Sequence, residues 1–198
     1  MPRPFKDIGG RAVHLCVDMQ RMFADDTPWR TPWMAKVLPN VRTLIRYKPD
    51  RVLFTRFIPA RSPRHATGTW QAYYEKWPDM TLNAMPPEWA EIIPELRAES
   101  PQAAVFDKSV YSPWHDGQLD AHLRHRQIDT VIISGTETEV CVAAAVLGAI
   151  DRGYRVIVAT DAICSSSDET HDAMVDIYHQ RYSVHVSAAT TDTILGHW

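Results

Sequence analysis

Short runs of consecutive apolar residues alternate along the chain with longer segments whose apolar positions recur at helical spacing. Residues 12–17 (AVHLCV) read as a buried strand that ends at Asp18. Residues 37–47 read as a helix with Val41, Leu44 and Ile45 on one face. Residues 51–57 form a second strand, 103–106 a third, 130–134 a fourth and 155–159 a fifth. Residues 119–125 and 170–182 read as helices, 90–97 as a short helical piece and 183–186 as a short last strand. Residues 140–152 are rich in alanine, the best helix former, and predict a strong helix. Strands that are apolar throughout, rather than alternating, are buried on both faces. Their alternation with helices predicts an α/β fold in which helices cover a parallel sheet.

The stretch 58–87 breaks this pattern. It is rich in Pro, Trp and Tyr and only weakly periodic. A loop of that length is uncommon unless it is functional. Within it, Trp70, Tyr73, Tyr74 and Trp77 are spaced near i, i+3, i+4 and i+7. Two readings stand together: a helix packed on the core or a partner subunit, and a lid closing over an apolar pocket.

Composition narrows the class. The 198 residues suit one domain spanning 1–198. The net charge of −3, with no charge block, argues against nucleic acid or an anionic membrane surface as a partner. No apolar run reaches the length of a membrane span. The N-terminal MPRPFKDIGG lacks the apolar core of a signal peptide. Cys16, Cys141 and Cys164 form no C-x-x-C pair, so neither a zinc ribbon nor a disulfide framework is expected, and the cytoplasm is the expected compartment. No glycine-rich phosphate-binding motif follows a strand.

Ligands of open α/β sheets sit beyond the carboxyl ends of the strands. Three reactive residues meet that test. Asp18 ends the first strand, Lys108 lies two residues past the third, and Cys141 follows the fourth near the start of the alanine-rich helix. A helix N-terminus and a neighbouring lysine both lower a thiol pKa. Backbone N–H groups there can receive an oxyanion. An aspartate within reach can take the thiol proton and pass it to a leaving amine. Of the other candidates, Cys16 reads as core, Cys164 as structural, and Asp161 as a structural residue bonded to backbone. His122 and His125 share a solvated helix face, and Arg56 and Arg61 are candidates to bind a substrate carboxylate.

Three motifs occur in order: V-D-M-Q-x-x-F at 17–23, D-K-S-x-Y-S at 107–112, and G-T-x-T-x-x-C-V at 135–142. With A-x-D-R-G-Y-R-V-x-V-x-x-D-A at 149–162, the chain resembles the isochorismatase-like cysteine hydrolases. The resemblance fails only in the Trp-rich middle. It implies a doubly wound, Rossmann-like three-layer sandwich with about six mostly parallel strands. It also implies Asp18 as general base, Cys141 as nucleophile and Lys108 as the cation beside both. A cis peptide at Thr136–Glu137 would bring the N–H groups of Glu137 and Cys141 together as an oxyanion hole. Phe23 would line the substrate pocket; Thr136, Trp114, which follows the lysine motif, and Trp70 of the aromatic segment are further candidate substrate contacts. The implied substrate is a small amide, carbamoyl compound or ureide, cleaved without a cofactor by a homo-oligomer, dimer or tetramer. Nicotinamidases of the family carry a metal-binding D-x-H after the second strand; here that stretch reads Thr55-Arg56-Phe57-Ile58-Pro59, so no metal is expected. Isochorismatases proper cleave a vinyl ether and often lack the cysteine, so Cys141 favours acyl transfer. A silent ligand-binding member of the fold is the remaining alternative.

Overall fold

The computed structural model describes residues 5–198; residues 1–4, the start of the N-terminal stretch read above for a signal segment, lie outside them. The chain runs β1 (Ala12–Val17), α1 (Arg21–Ala24), α2 (Met34–Tyr47), β2 (Val52–Phe57), α3 (Thr69–Lys76), α4 (Pro94–Glu99) and β3 (Ala104–Lys108). It continues α5 (Gln118–His125), β4 (Thr130–Thr136), α6 (Ala143–Asp151), β5 (Arg155–Cys164), α7 (Asp168–Gln180), β6 (Val186–Ala189) and α8 (Thr191–Leu195).

All six strands pair in parallel in the order β3-β2-β1-β4-β5-β6. The chain winds outward from β1 in one direction, then returns to β4 and winds outward in the other. The switch point lies between β1 and β4, and a crevice opens there beyond the carboxyl ends of the strands. Every residue of β1 is buried, as expected of a central strand covered on both faces. Val13, Leu15 and Val17 share a cluster with Leu119, Val146 and Tyr178 from α5, α6 and α7. Cys16 belongs to the opposite cluster, with Leu44 of α2, Leu96 of α4 and Ile194 of α8. The result is a doubly wound three-layer sandwich.

Several boundaries differ from the sequence reading. Strand β3 extends to include Lys108, and β6 begins at Val186, the residue where the short last strand was expected to end. Strand β5 runs on to Cys164, re-pairing with β4 after a register shift between Ile133 and Gly135. The alanine-rich helix is two pieces: a π turn over Thr138–Val142, then α6. In the π turn the Val142 N–H donates to the Glu137 carbonyl at 3.1 Å. Such turns are rare and recur at functional sites. Periodicity does not reveal them, because a single widened turn leaves the apolar pattern on either side intact.

One buried base is locked into the sheet. His14 is fully buried on β1, and its Nε2 is 2.7 Å from Ser134 Oγ, while Nδ1 has no partner. Burial pushes its pKa from 6.5 down to about 3, so the folded ring is neutral. Below pH about 6.5 the unfolded chain binds a proton that the folded chain refuses, and stability falls with pH until about 3. Urea unfolding across this window is expected to show a contribution of about 1.4 kcal/mol per pH unit that His14→Gln removes. An unchanged slope in the variant would mean that the folded ring accepts the proton.

Candidate active site

Asp18 is the residue after β1, with a left-handed φ of 49°. Asp tolerates that region better than most residues, at a cost of about 1 kcal/mol. The turn is held by Thr55 on β2: the Asp18 N–H donates to Thr55 Oγ1 at 3.1 Å, and Thr55 Oγ1 donates to Asp18 Oδ1 at 2.6 Å. Lys108, the last residue of β3, reaches past the end of β2, its Nζ 5.0 Å from the centroid of the Phe57 ring. Its Nζ lies 2.7 Å from Asp18 Oδ2 and donates to Cys141 Sγ at 3.3 Å and to the Val110 carbonyl at 3.1 Å. The ammonium is thus held by two hydrogen-bond acceptors and one ion-pair partner. Asp18 and Lys108 are buried, and Cys141 shows 6% of its surface to a cavity. Three strands of different sequence position thus deliver an acid, a cation and a thiol to one point.

Gln20 braces this point from behind. Its Nε2 donates to the carbonyls of Phe57 and Ala90, and its Oε1 accepts the Phe57 N–H at 2.7 Å. One side chain thereby fixes the end of β2 and the loop that faces it. The motif reading contains Gln20 but gave it no role, because nothing in its spacing shows which backbone groups it meets.

The thiol differs from the sequence expectation. Burial pushes the Cys141 thiol up, and the Asp18 carboxylate pushes it further; Lys108 opposes both and loses. Burial also works against the Lys108 charge, but Asp18 and the sulfur outweigh it, so the ammonium is held above its ordinary range. The expected lowering by lysine is present but outweighed, because the same lysine is already paired with an aspartate. At rest the site holds a neutral thiol beside a carboxylate–ammonium pair.

The cavity above Cys141 encloses about 300 Å³, enough for a small molecule. Phe23, Trp29, Phe57, Tyr73, Trp77 and Tyr111 give it aromatic walls; Arg30, Glu137 and Ser166 are its other polar lining. The Thr136–Glu137 peptide is cis. Glu137 Oε1 accepts the Ser166 N–H at 3.1 Å.

The expected substrate contacts separate. Phe23 is in the wall and stacks on Trp29 with centroids 6.2 Å apart. Thr136 is buried below the cavity, its Oγ1 directed to the Cys164 carbonyl at 3.3 Å. Trp70 stands outside, lining a shallow neighbouring groove and backing the cavity residues Tyr73 and Tyr111 at 5.3 and 4.8 Å. Trp114 is a correction. Its indole donates to the Ala145 carbonyl at 2.9 Å, stacks on Tyr154, and fills the space left by the missing side chain of Gly148. It wedges α6 against the sheet instead of meeting the cavity. Arg56 is a second correction. It makes a bidentate pair with Asp107 and a further pair with Glu91, so it is not free to bind a substrate carboxylate.

The segment 58–87 is folded. Helix α3 buries Tyr74 in the core and presents Tyr73 to the cavity, and the Leu82 N–H donates to the Ala60 carbonyl at 3.0 Å to close the loop. It therefore packs on the core and walls the cavity at once. The sequence reading missed Trp29, Arg30, Phe57 and Ser166. Phe57 ends β2, so the strand-end rule could have found it. Trp29 and Arg30 lie in a turn with no periodic signal.

Across the end of β2, residues 55–59 offer no carboxylate or imidazole to a metal ion. Arg56 puts a guanidinium there, already paired. Among the described residues no group of three His, Cys, Asp or Glu side chains is placed to hold one. Among the same residues no helix is long and apolar enough to cross a membrane.

Comparison with known proteins identifies the family and the fold. Residues 12–190 match the isochorismatase domain family. The isochorismatase family protein YwoC of Bacillus subtilis (strain 168) is 36% identical over 89 residues, 45% of this chain and 47% of that protein. The N-carbamoylsarcosine amidase of an Arthrobacter species is 28% identical over 163 residues, 78% of this chain and 60% of that protein. The matched stretches thus span about half the length of the first curated relatives. A crystal structure of a cysteine hydrolase from Pseudomonas syringae pv. phaseolicola 1448A superposes with a TM-score of 0.82 at 23% identity, covering 100% of this chain and 98% of that one. At that identity the likeness establishes the fold.

Proposed function

This chain belongs to the isochorismatase family of hydrolases, which includes amidase relatives, and from that premise we propose that it cleaves a carbon–nitrogen bond in a small amide, carbamoyl or ureide substrate through a thioester on Cys141. The observation that carries the proposal is the buried chain of contacts from Asp18 through Lys108 to Cys141 at the floor of an aromatic cavity. The neutral thiol needs a base at the moment of attack, and the Asp18 carboxylate is beside it.

The steps follow from those positions. The thiol proton passes to Asp18 as sulfur adds to the substrate carbonyl. The oxyanion forms against the backbone N–H groups of Glu137 and Cys141, while the Lys108 ammonium balances the charge near sulfur. Collapse breaks the carbon–nitrogen bond, and Asp18 returns the proton to the leaving amine. Water then attacks the thioester; Asp18 takes its proton and delivers it to the departing sulfur. The products are the acid and the amine, and no cofactor enters the balance.

We read the chain as one domain, supported by the single sheet and its two helical layers. We read its compartment as the cytoplasm, supported by three free, buried cysteines, and its assembly as a homo-oligomer. The test of function is ammonia release from a panel of small primary amides, carbamoyl compounds and ureides. Wild type is expected to turn over at least one, and Cys141→Ala to lose about 10³-fold or more. Turnover of isochorismate that survives Cys141→Ala would replace this reading with vinyl-ether hydrolysis. Ligand binding without product in wild type would replace it with a silent binder.

A further inference from the structure

The cavity contains one basic side chain, and it is almost without a counter-ion. Arg30 lines the cavity beside Trp29. Its one ion pair among the described residues is with the fully exposed Asp26, at 3.8 Å, and the Arg30 side chain is itself 55% exposed at the cavity rim. Two other arginines are occupied, Arg56 by Asp107 and Glu91 and Arg21 by Asp25 at 2.8 Å, and the exposed Arg61 does not line the cavity. Lys108 cannot serve an incoming anion, because it is buried and its donors are used.

The turn that carries Arg30 is built. Thr27 Oγ1 donates to the Met22 carbonyl at 2.5 Å and accepts the Trp29 N–H at 3.1 Å. The Arg30 N–H donates to the Thr27 carbonyl at 3.1 Å, and the Thr31 N–H to the Phe23 carbonyl at 2.8 Å. Trp29 is anchored among Phe23, Phe57 and Tyr73. The backbone of Arg30 is therefore held in place while its guanidinium keeps its fork of donors. The one acid lining the cavity, Glu137, belongs to the cis peptide beside the nucleophile turn and accepts the Ser166 N–H.

We propose that Arg30 is a specificity-determining residue that selects amide or ureide substrates bearing a carboxylate at the end away from the scissile bond. The carbonyl meets Cys141 at the cavity floor, the apolar middle of the substrate lies between the aromatic walls, and the carboxylate meets Arg30. This rests on the amidohydrolase reading above and names the substrate class for it. Arg30 supplies a charge-assisted hydrogen bond and takes no part in the proton transfers.

The test compares succinamate with the neutral butyramide, in wild type, Arg30→Gln and Arg30→Lys. Wild type is expected to favour succinamate in kcat/KM by roughly tenfold or more. In Arg30→Gln the ratio is expected to fall to about one, through KM, with part of it restored in Arg30→Lys. An equal ratio in wild type and Arg30→Gln would overturn the proposal. If wild type hydrolyses neither compound, calorimetric titration of Cys141→Ala protein with both decides it separately from the reaction. Succinamate binding that Arg30→Gln abolishes sustains the anion site even if the amidase reading fails. Equal binding of both compounds, or binding of neither, overturns it.

Discussion

Asp18→Asn is expected to cost about 10³-fold in amide turnover and at the same time to make Cys141 alkylate faster at neutral pH. The two effects have one cause. At rest the Asp18 carboxylate stands with burial in holding the thiol neutral, against the pull of Lys108. Asparagine keeps an acceptor for the Thr55 hydroxyl, which now bonds Asp18 Oδ1 at 2.6 Å, but removes the anion. The Lys108 ammonium is then buried with its counter-ion gone, a state that costs several kcal/mol. The nearest group able to become an anion is Cys141 Sγ, 3.3 Å away. Ionising the thiol relieves the lysine, and each unit by which the thiol pKa falls gives tenfold more thiolate at neutral pH. Iodoacetamide reaches the sulfur from the cavity, so its rate against pH and the ultraviolet absorbance of the thiolate read the shift directly. Turnover is lost because asparagine can neither take up a proton nor deliver one to the leaving amine. A variant that alkylates no faster than wild type would show Lys108 shedding its proton instead, and Asp18 would lose its role in setting the thiol.

The residues that meet at the cavity floor were legible because a parallel sheet concentrates its strand ends on one side. Asp18 and Lys108 close strands whose apolar runs are visible, and Cys141 opens the segment after the next one. Local sequence suffices for such residues. What failed was whatever depended on a partner far away in the chain. Trp114 follows the lysine motif by only a few residues, yet its direction is set by the space over Gly148 on α6. Arg56 sits at a suitable strand end, but its register opposite Asp107 on β3 neutralises it. The direction of the thiol pKa needed the balance of burial, Asp18 and Lys108 together, and a helix terminus with one lysine predicts the opposite sign. Arg30 was invisible for a simpler reason: its turn is made of side-chain and backbone hydrogen bonds around Thr27, which leave no periodic trace.

Gly135→Ala is expected to destabilise the protein by about 4 kcal/mol or more, or to prevent its folding. Gly135 lies on β4 directly opposite Val17 of β1, where the sheet changes winding direction. Its φ is 118°, a region that side chains rarely adopt. A Cβ placed there would stand 2.0 Å from the Val17 carbonyl oxygen and 2.7 Å from its nitrogen. Those atoms belong to the backbone of a fully buried central strand, so no rotamer change can make room. Relief requires β1 and β4 to separate, which breaks their ladder and draws Asp18, one residue beyond Val17, away from the turn that holds Cys141. The close approach of the two strands is therefore what brings the acid to the thiol. Urea unfolding measures the stability loss, and where the variant folds at all, ammonia release is expected to fall with it. The neighbouring Ser134→Ala is the comparison: it replaces a hydroxyl bonded to His14 at 2.7 Å without any backbone clash, and its cost is expected to stay within about 1–3 kcal/mol. Equal stability of Gly135→Ala and wild type would mean that the two strands can part without cost, and the switch point would not be the rigid element described.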